Sequence, residues 1–139
     1  MTLKFLLDTP IVSAPVAKQP NRRVVKKLEQ QGLYCAIASP VWHELVFGCS
    51  LLVPGSRRAA LEEYLQTVLV PAFPILAYDE AAATWHGRER ARLQNAGKMA
   101  PFVDGQIAAI AYTRNLALVT TNAKHFECFV GLEIVDWTR

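Results

Sequence analysis

The sequence predicts an α/β fold in which a central, mostly parallel sheet of four to five strands carries helices on both faces. The order of the predicted elements indicates this class. Short apolar runs of strand length alternate along the chain with longer segments of helical periodicity, and this alternation is typical of βαβ units. No linker, repeat or low-complexity tract interrupts the 139 residues. We therefore expect residues 1–139 to form one domain, since this length supports a single core.

The predicted strands are short apolar runs bounded by helix or turn signals. They cover Lys4–Leu7, Tyr34–Ala38, Phe73–Ala77 and Leu116–Thr120, with Glu133–Val135 as a short fifth strand at an edge. In a parallel sheet, ligands bind beyond the carboxyl ends of the strands. Asp8 and Asn122 each follow a predicted strand end, so we place the functional site there.

The predicted helices are bounded by capping residues. They run from Asn21 to about Gln31, from Ser39 to about Leu52, from Ser56 to near Pro71, from Glu80 to about Ala96 and from Pro101 to about Arg114. Asn21 and Asp79 are N-cap residues, because their side chains accept hydrogen bonds from free N–H groups of the first turn. Gly32 and Gly97 follow two of the helix ends, where glycine is favoured.

Composition narrows the class of protein. Apolar residues make up 52% and charged residues 19% of the chain, which is typical of a globular protein. The net charge of +3 is compatible with a polyanionic partner. No run approaches the roughly 18 apolar residues of a membrane span, and no secretory signal is visible. Three cysteines without a C-x-x-C pair are typical of reduced thiols. We therefore expect a cytoplasmic protein without a membrane partner.

Asp104 lies on the apolar side of its predicted helix. At about 100° per residue it shares a face with Ile107, Ala108 and Ala111, whereas Gln106 lies opposite. A structural interpretation is a first-turn Asp that interacts with the helix N-terminus. That interpretation explains its place in the sequence but not its inward face. Because burying a carboxylate is costly, we favour a functional role for Asp104.

Glu44 and Asp8 extend the acidic set. We expect Glu44 on the buried face of its helix, at the edge of the apolar stripe, and Gly48 leaves open space one turn later; the structural alternative is a rim Glu in the first turn. His43-Glu44 does not begin a zinc motif, because position 47 is Phe instead of His. Asp8 follows the first strand, where the alternative role is to cap the next turn. A covalent phosphotransfer role would need a second Asp where the chain has Pro10.

If the three carboxylates converge, a divalent cation is the simplest way to hold them together. Mg²⁺ prefers oxygen ligands and binds through one or two carboxylates while it keeps several waters. The P-loop, the dinucleotide fingerprint and the G-x-S-x-G elbow are missing from the sequence. His43, His86 and His125 show no ligand spacing. We interpret the charged run Arg88–Arg92 as a solvated helix face.

Four segments of the chain occur in the order of a known family. They are Phe5–Thr9, Ala38–Gly48 around Glu44, Asp104–Ala111, and Leu118–Phe126 around Asn122. Through them the chain resembles the PIN domain, and within it the VapC-like toxins of bacterial toxin–antitoxin pairs. The resemblance implies a PIN-like three-layer sandwich and a Mg²⁺- or Mn²⁺-dependent endoribonuclease, the toxin of a type II pair, in which metal-activated water attacks a phosphodiester.

The resemblance also implies residue roles and partners. Asp8 and Asp104 would be direct metal ligands, Glu44 would ligate directly, through water or at a second metal, and Asn122 would be a secondary member of the catalytic set. The implied partners are RNA, a VapB-like antitoxin and a second copy of the chain in a homodimer. Leu51–Val53 and the run Arg88–Arg92 are candidates for these protein contacts.

Two departures from the family pattern leave a second function open. Pro10 removes a backbone donor after the first strand, and Asn122 supplies an uncharged amide where many members carry Asp. The alternative is a catalytically weak or inactive PIN-like module that binds RNA or protein. Lys98 and Lys124 border the expected site and are candidate phosphate contacts. Arg22, Arg23, Lys26 and Lys27 form a basic face on the helix that begins at Asn21, and the structural explanation of this face is simple solubility.

Overall fold

The computed structural model describes residues 2–139, and this part of the chain contains one five-stranded sheet. The strands are β1 (Phe5–Leu7), β2 (Cys35–Ala38), β3 (Ile75–Leu76), β4 (Ala117–Val119) and β5 (Ile134–Val135). Their order is β3-β2-β1-β4-β5 and each pairing is parallel. The predicted α/β class is therefore confirmed, and the fifth strand lies at one edge of the sheet.

Seven α-helices lie within residues 2–139. They are α1 (Thr9–Val12), α2 (Arg22–Gln31), α3 (Ser39–Leu51), α4 (Ser56–Tyr64), α5 (Val70–Ala72), α6 (Glu80–Asn95) and α7 (Phe102–Thr113). A π-helical segment, Leu65–Leu69, joins α4 to α5, so the helix predicted from Ser56 to Pro71 is continuous but changes its winding. Across the same residues, no helix is long and apolar enough to traverse a bilayer.

The helix α1 is an element that the sequence did not predict, because four residues are too few to show helical periodicity. Asp8 is its N-cap, and Pro10 lies in its first turn. A proline there is favourable, because the N–H that it lacks would have no partner inside the helix. Pro10 therefore fits the local structure and does not distort the chain after β1.

The register of the sheet aligns the ends of its central strands. Leu7 of β1 pairs with Ile37 of β2 on one side and with Val119 of β4 on the other. The N–H of Asp8 then donates to the carbonyl oxygen of Val119 at 3.0 Å. Asp8 and the residue that follows Val119, which is Thr120, consequently leave the sheet side by side.

Helices cover both faces of the sheet. Since crossovers between parallel strands are right-handed, the connections from β1 to β2 and from β2 to β3 place α2 and α3 on one face. The return from β3 to β4 places α6 and α7 on the other. Residues Ile107–Ala111 of α7 are buried against the sheet. The three layers that the resemblance implies are present, and the first turns of α3 and α7 lie at the edge where β1 ends.

Candidate active site

Asp8 is the most firmly held of the predicted acids. It is 7% exposed. Its Oδ1 accepts a hydrogen bond from the backbone N–H of Thr9 at 2.9 Å, and its Oδ2 accepts one from the hydroxyl of Thr120 at 2.8 Å. Both carboxylate oxygens are thus fixed by neighbours on α1 and at the end of β4. The remaining lone pairs of both oxygens are available to a ligand.

Thr120 belongs to the candidate site by its contacts, and the sequence interpretation missed it. It is fully buried, and its hydroxyl accepts from the backbone N–H of Asn122 at 3.0 Å while it donates to Asp8. This one side chain therefore links Asp8 to the segment after β4. Its signal in the sequence is a hydroxyl residue at the end of a buried strand, in register with the strand that ends at Asp8.

Glu44 lies on the first half of α3 and is exposed. The prediction that it lies on a buried face is wrong, because the residues that α3 buries are Pro40, Val41 and Cys49. The rim position considered as the alternative describes it better. Its Oε2 accepts a hydrogen bond from the hydroxyl of Thr9 at 2.8 Å. Thr9 therefore contacts Asp8 through its backbone and Glu44 through its side chain.

Asp104 lies in the first turn of α7 with its side chain 20% exposed. The predicted inward face is confirmed, since Ile107, Ala108 and Ala111 are all buried. The Nδ1 atom of His125 lies 3.6 Å from Asp104 Oδ2. The sequence indicates no site role for His125, because this residue lacks the spacing of a metal ligand. The turn after β4 nevertheless brings it to the site.

The acids act on one another electrostatically. Burial raises the pKa of Asp104 above its usual range, His125 opposes this, and Asp8 and Glu44 raise the pKa further. Burial likewise raises the pKa of Asp8; the hydrogen bonds from Thr120 and Thr9 counteract it, and the charge of Glu44 adds to it. A nearby cation would favour the charged form of each acid, so this arrangement of carboxylates would in turn stabilise a cation bound beside it.

The donor set fits a hard divalent cation. Within residues 2–139, no three His, Cys, Asp or Glu side chains form a ready-made coordination group, which argues against a closed zinc site. Mg²⁺ and similar ions need fewer protein ligands than such a zinc site, because one or two carboxylates and retained waters complete their coordination. Asp8 is a buried oxygen donor, Asp104 is a partly buried one and Glu44 is an exposed one.

Asn122 lies next to this cluster but is exposed. It precedes a short 3₁₀ turn, Ala123–His125, and its side chain does not cap that turn. Only its backbone is fixed, through the bond from its N–H to Thr120. The structure therefore brings the amide to the right edge of the sheet and leaves its side chain free.

Two clefts adjoin the acids on opposite sides. On the α7 side, Lys98, Lys124, His125 and Cys128 line a cleft of about 480 Å³, so the two predicted phosphate contacts share one surface. On the α3 side, Thr9, Glu44 and Gly48 are among the residues that line a mostly apolar cleft of about 500 Å³. One side of the site is thus suited to phosphate and the other to apolar groups.

The helix α6 supports the α7 side of the site. His86 of α6 is 3% exposed, and its Nδ1 lies 2.8 Å from the hydroxyl of Tyr78. Its ring packs directly against the backbone of Gly105, and a Cβ atom at Gly105 would overlap the ring. Since Gly105 follows Asp104, this close approach of α6 and α7 sets where the Asp104 carboxylate lies.

A second contact of α6 holds the chain beyond β4. Arg92 donates to both oxygens of Glu89, at 2.8 and 2.9 Å, and to the carbonyl oxygen of Cys128 at 2.9 Å. Glu89 also accepts from the N–H of Val130 at 3.3 Å. The interpretation of Arg88–Arg92 as a solvated face is confirmed for Arg92, which is exposed, but is wrong for Glu89, whose side chain is 13% exposed; together the two residues fasten the segment that follows His125.

Known proteins are similar to this chain in sequence. The PIN domain family matches residues 5–128 of the chain. Toxin FitB of Neisseria gonorrhoeae (strain ATCC 700825 / FA 1090) is 35% identical over 125 residues, which cover 88% of this chain and 90% of FitB. The tRNA(fMet)-specific endonuclease VapC of Shigella flexneri is 34% identical over 137 residues, which cover 98% and 99% of the two chains.

A solved structure gives the same result in three dimensions. The crystal structure of FitAcB from Neisseria gonorrhoeae matches with a TM-score of 0.88 and 31% sequence identity, over 96% of this chain and 97% of that chain. The similarity therefore extends over nearly the whole fold and includes every segment that contributes an acid to the site.

Proposed function

The chain belongs to the PIN-domain family and is a VapC-like ribonuclease, and we propose that a divalent cation held by Asp8, Asp104 and Glu44 drives its chemistry. One observation carries this proposal. The carboxylates at the end of β1, on α3 and on α7 act on one another electrostatically at one edge of the sheet, where Thr9 and Thr120 donate hydrogen bonds to two of them. Such a cluster of acids is unfavourable unless a cation neutralises it.

The residues of the site have different roles in binding the ion. Asp8 and Asp104 are the direct ligands, and Glu44 ligates directly or through a water. When bound, Mg²⁺ or Mn²⁺ supplies an activated water and stabilises charge on the phosphorus oxygens. Thr120 and the N–H of Thr9 fix the orientation of Asp8. We assign Asn122 as a secondary member of the catalytic set, whose amide oxygen would ligate the ion or hold a bound water.

The path of the RNA follows the basic side of the site. Lys98 and Lys124 line the cleft that adjoins Asp104 through His125, and we assign them to phosphates next to the cleaved bond. A lysine ammonium binds phosphate as a point charge and tolerates many geometries. These contacts orient the backbone but do not read the base sequence, which is consistent with recognition of a single-stranded or loop target.

The partners follow from the other side of the site. We propose that a VapB-like antitoxin covers the apolar cleft beside Glu44, continuing over the exposed Phe47, Leu51 and Val53. The chain would also pair with a second copy of itself. We place the protein in the cytoplasm, where RNA is present. The single sheet from Phe5 to Val135 supports the proposal that residues 1–139 form one domain.

The proposal is tested by measuring cleavage and metal binding separately. Purified protein should cleave single-stranded RNA in Mg²⁺ or Mn²⁺ and stop when EDTA is added. Asp8→Asn and Asp104→Asn should each reduce the rate by at least about a hundredfold, because each removes a charged ligand. Glu63→Gln is the matched control, since Glu63 is an exposed carboxylate on α4.

Metal binding is followed by the rise in melting temperature when Mn²⁺ is added. The wild type should be stabilised and the two Asn variants should not, because a ligand that binds only the folded state raises its stability. Variants that cleave as fast as the wild type would show that the ligands are assigned wrongly. Equal RNA binding in EDTA with no cleavage in either metal would favour the alternative, an inactive RNA- or protein-binding module.

A further inference from the structure

The exposed face of α2 forms a basic surface apart from the candidate active site. We call it the α2 basic surface; it consists of Arg22, Arg23, Lys26, Lys27 and Arg139. The opposite face of α2 is apolar and packs on the core through Val24, Val25 and Leu28. The basic face is therefore the only one that α2 presents to solvent.

The excess positive charge of the chain is concentrated on this surface. Its five cations are accompanied by two carboxylates, those of Glu29 and Asp136, which leaves the same net charge of +3 that the whole chain carries. Elsewhere in residues 2–139, three of the six other arginines form ion pairs, which are Arg58–Glu62, Arg92–Glu89 and Arg114–Asp79. By contrast, no ion pair forms in the described residues at the four cations of α2 itself, and Arg139 pairs with Asp136 at 3.5 Å. The rest of the protein is thus close to neutral.

The surface is shaped as well as charged. Arg23, Lys26, Lys27, Trp137 and Arg139 are among the residues that line a shallow cleft of about 340 Å³. A second cleft of about 520 Å³ contains Arg22 and Lys26, so Lys26 borders both. Trp137 and Arg139 lie beside α2, because they line the first cleft together with Arg23, Lys26 and Lys27, and Trp137 also packs on Phe5 of β1 with ring centroids 5.2 Å apart. Arg23 donates to the carbonyl oxygen of Thr138 at 3.5 Å.

The helix α2 begins on the same side of the sheet as the acids. It leads from the end of β1 back to the start of β2, so its first turn lies toward the site edge and its last turn toward the opposite edge. Its 10 residues span about 15 Å. The cations therefore form a row that leads away from the site, long enough for several phosphates of one strand.

We propose that the α2 basic surface binds the phosphate backbone of the RNA substrate outside the cleaved segment. The inference rests on the proposed function, because it names a second region of the same substrate. The four cations of α2 form no ion pair in the described residues, and such cations suit a chain of phosphates, each of which carries one negative charge. A lipid surface fits less well, since membrane-binding helices keep their apolar side free and α2 uses that side in the core.

The test compares two double variants that lose the same charge. Lys26→Gln/Lys27→Gln removes two cations from the α2 basic surface. Lys4→Gln/Arg88→Gln removes two exposed cations elsewhere and is the matched control. Binding of a fluorescent single-stranded RNA of about 20 nucleotides is measured by anisotropy in EDTA, where cleavage does not occur, at several salt concentrations.

The α2 variant should bind about tenfold more weakly, and the slope of log affinity against log salt should fall by about 1.4 for the two lost contacts. The control should remain within about twofold of the wild type. Equal weakening by both variants would show a general charge effect and overturn the proposal. An unchanged affinity of the α2 variant would overturn it as well, and so would a loss seen with duplex DNA but not with RNA.

Cleavage distinguishes this inference from the proposed function. On long RNA in Mn²⁺ the α2 variant should show a raised KM with kcat unchanged, and on an RNA of four nucleotides, too short to reach α2, it should match the wild type. A wild type that binds RNA through α2 but never cuts it would refute the proposed function alone. A wild type that cuts RNA with the same KM as the α2 variant would refute the inference alone.

Discussion

The two sides of the candidate active site are built differently, and two glycines show how. On the α7 side, Gly105 follows Asp104 and touches the His86 ring so closely that no Cβ atom fits. On the α3 side, Gly48 lies one turn after Glu44, and a Cβ atom there would meet nothing within 4 Å. One glycine is required by packing and the other faces open space.

This difference shows that the position of Asp104 is fixed by packing, whereas the side chain of Glu44 can move more freely. Asp104 is partly buried on a helix that α6 holds in place, and burial is the main cause of its raised pKa. Glu44 is exposed and is held by one hydrogen bond from Thr9. A fixed ligand creates the metal position in advance, whereas a free one adjusts to the ion and to the substrate. We therefore expect changes on the α7 side to have larger effects.

The largest expected loss of stability is that of Gly105→Ala. The added methyl group overlaps a buried histidine ring, so α7 must shift away from α6, and Asp104 moves with it. Overpacking of this kind costs about 1–3 kcal/mol, which lowers the melting temperature by about 3–10 °C. RNA cleavage should fall by about 10–100-fold, because small displacements of a catalytic group are costly. Thermal unfolding and cleavage assays measure both.

The double variant His86→Ala/Gly105→Ala tests the cause of that effect. Removing the ring restores room for the methyl group, so the loss in the double variant should be smaller than the sum of the single losses. Ala111→Gly, in the last turns of α7, is a matched control that weakens the helix without moving its first turn. It should lower the melting temperature but leave Mn²⁺ affinity nearly unchanged. Additive losses in the double variant would contradict the packing explanation.

Thr120→Val should have the next largest effect. Valine keeps the shape of threonine but removes the hydroxyl that donates to Asp8 and accepts from the N–H of Asn122. Hydrogen bonds to charged groups contribute about 1.5–3 kcal/mol. Because this bond lowers the pKa of Asp8, its loss raises that pKa further, and protons should compete with Mn²⁺ up to a higher pH. Melting with and without Mn²⁺ across pH 5–8 measures this.

Thr120→Ser keeps the hydroxyl and should preserve both the stability and the pH dependence of Mn²⁺ binding. If the valine and serine variants bind Mn²⁺ alike at every pH, the hydroxyl does not orient Asp8. The α3 side offers the contrast, since Glu44 has an exposed carboxylate whose one partner, Thr9, is also accessible.

Asp104→Asn should stabilise the metal-free protein by about 1 kcal/mol at neutral pH, while reducing cleavage by at least about a hundredfold. A carboxyl group whose pKa is raised in the folded state destabilises that state when it is charged. The gain should therefore be full at neutral pH, shrink as the pH falls through the raised pKa of Asp104, and vanish below its unfolded value of 3.8. Melting temperatures of the wild type and variant between pH 3 and pH 7 give the comparison.

Glu44→Gln is the matched variant on the α3 side. The glutamine carbonyl can still accept from Thr9, and the position is exposed, so the metal-free melting temperature should change by less than about 1 °C. If Glu44→Gln stabilised the protein as much as Asp104→Asn, the two sides would be equally strained and the contrast between them would be wrong.

The sequence predicted this site unevenly, and the reasons are physical. Asp8 could be placed because a strand end in a parallel sheet lies at the ligand edge. The inward face of Asp104 could be placed because helical periodicity orients a side chain relative to its own helix. Periodicity does not show how far a neighbouring element covers that side chain. For this reason Glu44 was predicted to be buried although it lies at the rim.

Contacts between distant segments could not be predicted at all. Thr120 and Asp8 are 112 positions apart in the chain, and only the register of β1 with β4 brings them together. His125 and Asp104, and likewise Arg92 and Cys128, are also neighbours only because the folded chain brings separate segments together. The hydroxyl, imidazole and guanidinium groups that hold the site were therefore visible in the sequence as residue types but not as neighbours.

Gly48→Ala should have the smallest effect, and its sign is opposite to that of Gly105→Ala. Gly48 lies within α3, where glycine is less favourable than alanine by about 0.5–1 kcal/mol, and the new methyl group meets no neighbour. The melting temperature should therefore rise by about 2–4 °C, and cleavage should stay within about twofold of the wild type, because the methyl group touches neither Thr9 nor Glu44. A fall in melting temperature would show that the space beside Glu44 is closed in the folded protein. A large loss of cleavage at unchanged stability would show that RNA or a ligand water occupies that space, and Glu44 would then be as tightly constrained as Asp104.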